Sequence, residues 1–449
     1  MHGDFSRTTF DPRKHYSGVL AQQGRVSLDA DEGEQVAIGQ HLLRSLARDL
    51  IGPHGGPGDG FAIAAADAFD FAILPGHYYV DGILCENEGQ DDAGAGQQGA
   101  APTAVAPVTY NAQPDRPPGV EPLQANKTYL VYLDVWERLV TYVEDDSIRE
   151  VALRGPDTAA RSRVVWQVRV RDVAGHEQQS ENDPDGLLQE LRPPLSAARL
   201  MAQAKPDPSS EDPCVVPSTS RYRGVENQLY RVEIHAPGTG DQATFKWSSD
   251  NGSVVFPILS PVANPVRMEN LGRDDRSTLA QNDFVEAVDL DVINEGRANP
   301  LGKVLEVDPD EETVTLPAGF VPGVSATRHP LLRRWHRDAE GLDLEDSAIK
   351  VREGDWIDLE DGVQVWFEPG GTYRTGDFWL IPARTEIGDV LWPRGQAADP
   401  SQPPPPLLRP PAGVLHHYAP LCKLSVGADG KVSFGTVFRR TIEQVAKQP

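Results

Sequence analysis

The sequence predicts a mainly β protein built of antiparallel sheets in sandwich- or barrel-like units, with one N-terminal amphipathic helix and long loops rich in proline and glycine. Three observations carry that prediction. Short runs of Val, Ile, Tyr, Phe and Trp recur along the chain with a period of two. Hairpin dipeptides, among them Asp81-Gly82, Asn251-Gly252 and Asp361-Gly362, separate such runs. Helical spacing is convincing in a single place, before Gly52-Pro53, and no fixed-period repeat marks a solenoid or propeller.

Changes in composition divide the chain. Residues 1–60 read as an N-terminal arm and docking helix. Residues 61–282 read as the main antiparallel β domain, with linker-like loops at 89–122 and 172–220. Residues 283–327 read as a small β-barrel-like insert, and 328–449 as a C-terminal β segment that completes the main domain.

The arm, around Phe10-Asp11-Pro12, is extended. Asp29 or Asp31 caps the helix, and acidic residues fill its first turn. Val36, Gly39, Leu43, Leu46 and Leu50 then fall at 3-4-3-4 spacing. About two heptads do not decide between a helix packed on its own sheet and a self-association or docking helix. Val36, Leu43, Leu46 and Leu50 are the candidate interface.

Beyond the helix, Tyr78, Tyr79 and Val80 meet Ile83 and Leu84 across Asp81-Gly82. KTYLVYLDVWERLVTYV (127–143) reads as a long strand or a pair of strands, RVVWQVRV (163–170) as another strand, and 195–204 as a short helix. The stretch 222–258 reads as a three-stranded meander. Tyr230, Val232 and Ile234 oppose a solvated face of Arg231, Glu233 and His235; Ala243, Phe245 and Trp247 anchor the next strand; Asn251-Gly252 turns into the third. FVEAVDLDVI and KVLEVDPDEETVTL supply the strands of the insert, the latter turning at Asp308-Pro309-Asp310. Trp356, Val363, Val365, Phe367, Tyr373, Phe378, Trp379 and Ile381 anchor the last block. Pro403 to Pro406 form a polyproline loop, and a hairpin opened by His416-His417 ends the fold.

Charge and cysteine usage narrow the function classes. The 449 residues carry 42 Lys plus Arg against 67 Asp plus Glu, a net charge of −25. That balance argues against nucleic acid or an anionic membrane as partner, since both need clustered basic residues. Cys85, Cys214 and Cys422 are far apart and form no CxxC pair, which suits reduced thiols in a cytosol. The N-terminus shows no secretory pattern, and no apolar run reaches the length of a membrane span.

The motifs for chemistry are weak. His416 and His417 are neighbours on a strand and point to opposite faces, so they read as a structural pair rather than metal ligands. Asp289 and Asp291 share one face of a predicted strand, as a glycosidase pair would, yet a solvated face is the simpler reading. Trp247, Trp335, Trp356, Trp366 and Trp379 could stack on sugars, although tryptophans in alternating strands usually belong to the core. No metal or cofactor site is expected, and no catalytic set.

The blocks GDFSRTTFDPRKHYSGVLAQQGRVSLDADEGEQ, LVYLDVWER, YRGVENQLYRVEIH, ATFKWSSDNGSVVFPI, GTYRTGDFWLIPARTEIGDV and HHYAPL carry a resemblance in collinear order. The chain resembles a bacterial domain family of unknown function encoded among phage-tail-like gene clusters, sometimes ahead of a β-helix or fibre-like region. Family members read LDADWNEQ where this chain has LDADEGEQ at 28–35, so an aromatic anchor is missing and Gly33 weakens the helix start. The resemblance implies a structural, non-enzymatic part of a contractile injection system: baseplate-peripheral, fibre-anchoring or cap-like. Its partners would be other subunits and copies of itself, a trimer among the options, with no nucleic acid and no membrane insertion. It would be made in the cytoplasm and assembled into a particle that can be released. The rival readings are a surface-glycan-binding module of such a particle and, behind it, a glycan hydrolase.

Overall fold

In the computed structural model, the described residues are 1–90, 105–117, 119, 121–153, 157–191, 197–205, 222–260, 264–272, 274, 276–318, 320, 323–336, 344–345, 347–397 and 404–443. The fold is mainly β, with 38% strand and 14% helix, in several antiparallel sheets that include a half-barrel. Residues 91–104, 118 and 120 of the loop at 89–122, much of 172–220, Pro403 and the last residues of the tail lie outside the described residues.

The arm leads into α1 (Asp29–Ile51), which ends at Gly52 with φ 88°. Asp29, Asp31 and Glu32 occupy its first turn, where carboxylates favour the unpaired amides. Next, β1 (Gly76–Val80) and β2 (Ile83–Asn87) form the hairpin turned by Asp81 and Gly82. β3 (Thr128–Val140) and β4 (Arg161–Asp172) pair antiparallel from Tyr129↔Asp172 to Val140↔Arg161. Both faces of β3 are covered. Tyr129, Val131, Leu133 and Val135 join a core with Phe71, Tyr78 and Val80. Leu130 and Tyr132, on the opposite face, meet Leu187 and Leu188 of the short helix α2 (Pro184–Gln189). Double coverage explains why β3 reads as a nearly continuous apolar run.

β5 (Leu200–Ala204) stands where a short helix is predicted at 195–204. Leu200, Ala202 and Ala204 alternate into a core, and pairing with a later strand overrides the helical preference of Leu, Met, Ala and Gln. β6 (Gln228–Ala236) and β7 (Thr244–Ser248) pair as the meander predicts, with Val232 opposite Trp247 and Ile234 opposite Phe245. The third strand, β8 (Val255–Ser260), does not return to β7. Asn251 and Gly252 take the positive φ values a two-residue turn needs, 55° and 62°. Yet the free edge of β7 is occupied by residues 348–350, so the chain crosses to another sheet instead.

That second sheet comprises β8, β9 (Val266–Met268), β10 (Phe284–Val288), β11 (Leu301–Lys303), β12 (Glu306–Asp308), β13 (Thr313–Thr315) and β14 (Leu331–Trp335). Its spatial order is β11-β10-β14-β8-β9-β13-β12, around Phe256, Met268, Val285, Val304, Val314 and Leu332. The sheet that holds 284–315 therefore also draws strands from before and after that stretch. A short helix, α3 (Leu290–Asn294), replaces the end of the predicted FVEAVDLDVI strand.

β15 (Ala348–Lys350), β16 (Trp356–Asp358), β17 (Val363–Phe367) and β18 (Phe378–Arg384) return to the first body. β15-β7-β6-β18 run side by side in one sheet and β16-β17-β5 in another, enclosing Tyr230, Phe245, Trp247, Phe367 and Trp379. Finally β19 (His417–Val426) and β20 (Val432–Val437) complete the sheet β20-β19-β3-β4.

Candidate functional site

α1 lies on the body with its polar side inward. Arg44 donates from Nη1 and Nη2 to Glu137 of β3 at 2.9 and 2.7 Å. The arm is strapped along the helix: Ser6 donates its amide and hydroxyl to Asp29, Thr9 Oγ1 donates to Glu34, and the Val19 amide donates to Gln35 Oε1. Beneath it, Gly82 sits at φ 81°, and a Cβ there would stand 2.2 Å from the Arg44 carbonyl oxygen, so both backbone and space require glycine. Ala30 and Ile38 are the buried side chains of the helix. The predicted seam points the other way. Val36, Leu43, Leu46 and Leu50 are 60, 67, 57 and 77% exposed, with Leu42 beside them also exposed. A helix that serves its own core shows the reverse arrangement.

A second cluster occupies the face of β6 that alternation marks as solvated. Arg231, Glu233 and His235 are buried there, together with Lys246 of β7. The reason is tertiary: Glu286 of β10 and Arg333 and Arg334 of β14, in the second sheet, are buried with them. Glu233 accepts from Arg231 Nε at 2.6 Å and from His2 Nε2 at 2.9 Å, with Lys246 Nζ 3.3 Å away. Lys246 Nζ donates to Glu286 at 2.5 Å, Trp335 Nε1 donates to the same carboxylate at 3.0 Å, and Arg334 donates to Asp250 at 3.1 Å. Asn251 Nδ2 donates to the Gly3 carbonyl, tying in the arm. Burial alone would raise the Glu233 pKa, but Arg231, His2 and Lys246 outweigh it and hold the carboxyl well below its usual range. Burial, reinforced by Arg231 and Arg333, pushes the His2 pKa down. Chiefly through burial, Arg333 falls to about 10. These bonds tie the two sheets and the arm together.

The remaining sequence candidates separate. His416 Nδ1 bonds Asp134 at 2.7 Å while His417 Nδ1 bonds Asp81 at 2.8 Å, on opposite sides as strand geometry requires. Asp289 and Asp291 do not share a strand face: Asp289 caps α3 and accepts from the Val292 and Ser325 amides, while Asp291 accepts from Arg328 Nε at 2.8 Å. Among the described residues no group of three or more His, Cys, Asp or Glu is arranged to hold a metal. Cys85 and Cys422 are buried free thiols, and burial pushes Cys422 up to about 12; Cys214 lies outside the described residues. Trp247, Trp335 and Trp379 belong to the interior, whereas Trp356 and Trp366 stand on the outer face of β16 and β17.

Sequence reasoning missed the charge network. A signal was present: Arg333-Arg334 sit between Leu332 and Trp335, and Lys246 between Phe245 and Trp247, so cationic residues lie inside otherwise apolar strands.

The chain matches the model of a family of unknown function (DUF6519) over residues 1–192 and 186–435. It belongs to that family. The DUF6519 match spans α1, the charge network and the outer tryptophan pair alike. No curated protein and no solved structure matches the chain. Among the described residues of this DUF6519 protein, no helix is long and apolar enough to cross a membrane.

Proposed function

We propose that this DUF6519 protein is a structural, non-enzymatic component of a phage-tail-like contractile injection system, placed at the baseplate periphery, as a fibre anchor or as a cap, and that it assembles with further copies of itself and with neighbouring subunits. One observation supports this above the others: α1 turns its ion-pairing side to the body and offers Val36, Leu43, Leu46 and Leu50 outward. Exposed leucines at heptad spacing are costly on an isolated monomer and useful on a subunit. The link to a phage-tail-like particle rests on the resemblance of the six sequence blocks.

Sedimentation of the purified chain tests the self-association. The wild type is expected to form a defined oligomer, and Leu43→Glu combined with Leu46→Glu to yield monomers that still melt cooperatively, because both side chains lie outside the core. A wild type that stays monomeric at high concentration would remove the role assigned to α1. Negative-stain images of particles from a strain lacking this gene test the assembly itself: altered shape or composition is expected, and unchanged particles would count against the proposal. The hydrolase reading loses its motivating pair, since Asp289 caps a helix and Asp291 answers Arg328. The glycan-binding reading keeps one location.

A further inference from the structure

The three-stranded sheet β16-β17-β5 has two unlike faces. Ile357, Val363, Val365, Phe367, Leu200, Ala202 and Ala204 point into the core. The other face is organised in rows set by the strand register. Trp356 lies directly opposite Trp366, and Trp366 directly opposite Met201. In the next row Asp358 lies opposite Gln364, and Gln364 opposite Gln203. Lys205 follows, reaching Asp358 Oδ2 at 2.7 Å. Three strands at their usual spacing make each row about 10 Å wide, room for two consecutive sugar rings.

Trp356 is 37% exposed, and Trp366 half-buried. The indoles of Trp335, Trp379 and Trp392 donate to protein acceptors. Among the described residues, those of Trp356 and Trp366 donate to none. The polar row is already ordered: Gln203 Nε2 donates to Gln364 Oε1 at 3.3 Å, and Gln364 Nε2 donates to Asp358 Oδ1 at 2.5 Å. That chain leaves the Gln203 carbonyl oxygen, its second amide hydrogen and further lone pairs on Asp358 without a protein partner among the described residues, with Gln203 half-buried and Asp358 exposed. Charges cancel locally, Asp358 against Lys205 and, beyond the aromatic row, Glu368 against Arg199 at 3.9 Å. A neutral, aromatic-floored surface edged by fixed donors and acceptors suits a neutral polyhydroxylated ligand, and offers little to an anionic polymer.

We infer that this face is a carbohydrate-binding platform, on which Trp356 and Trp366 stack against the apolar faces of β-linked pyranoses with equatorial hydroxyls, while Gln203 and Asp358 hydrogen-bond their edges. The inference stands apart from the subunit role of α1: either can fail alone. The assay is titration of the full chain with cellohexaose and, separately, chitohexaose, followed by tryptophan fluorescence and calorimetry. Saturable binding of at least one is expected, and the pair distinguishes a glucose from an N-acetylglucosamine preference. Trp356→Ala should weaken it about tenfold, the scale of a lost aromatic contact. Gln203→Ala, which leaves both rings in place, should weaken it several-fold with an unchanged melting temperature. Absence of binding to both hexasaccharides at millimolar concentration overturns the proposal. So does binding that survives Trp356→Ala and Gln203→Ala undiminished in folded protein.

Discussion

Glu286 answers two buried donors at once, Lys246 Nζ and Trp335 Nε1. Removing Glu286 leaves Lys246 with only the more distant Glu233, 3.3 Å away, and strips the Trp335 indole and the Asn299 amide of their acceptor. Glu286→Ala is therefore expected to cost about 3–5 kcal/mol, read from chemical denaturation, and a loss below about 1 kcal/mol would contradict the pairing. Acidity acts on the same cluster through His2 and Glu233, both of which bind protons less readily when folded than when unfolded. The unfolded chain takes up those protons first. The stability these two groups contribute is thus complete near neutrality and is lost as the pH falls, beginning below the ordinary His value of 6.5 and continuing below the ordinary Glu value of 4.5. Melting temperatures at pH 7 and pH 5 should differ in that direction, and His2→Gln should shrink the difference. A melting temperature that rises on acidification in this range would refute the assignment.

Among the elements, α1 has room to be improved. A Cβ on Gly33 or Gly39 would meet nothing within 4 Å, and neither residue is in the left-handed region. Gly39→Ala should stabilise the helix by about 0.5–1 kcal/mol. Gly39→Leu, in the seam itself, should shift the association equilibrium toward the oligomer; no change in sedimentation would argue that the seam meets nothing. The helix, the Asp81-Gly82 hairpin and the β6-β7 pair were legible because period and turn chemistry are local signals. β5 was not, since Leu200, Met201, Ala202, Gln203 and Ala204 favour helix and only the distant edge of β17 makes them a strand. Asn251-Gly252 shows the same limit from the other side. Its dihedrals were readable, but where the chain goes next depends on which strand already holds the edge of β7. Alternation likewise separated the faces of β6 correctly, yet could not tell that Arg231 and Glu233 face a second sheet instead of water.

At the scale of the molecule, the sheet β20-β19-β3-β4 joins distant parts of the chain: His417 pairs with Val135 and Ser425 with Thr128. Deleting residues 416–443 should expose Val131, Leu133 and Val135, giving a chain that binds hydrophobic dyes and fails to melt cooperatively. A soluble, cooperatively melting truncation would show that β3 and β4 suffice. Native closure spans 282 positions between Asp134 and His416. At roughly 5–20 residues per second, a ribosome needs about 15–60 seconds to supply β19 after β3 has emerged. Throughout that interval one of the most aromatic strands of the protein waits without its second neighbour. Rapid overexpression is therefore expected to favour inclusion bodies over assembly, and co-expressed holding chaperones to raise the soluble yield.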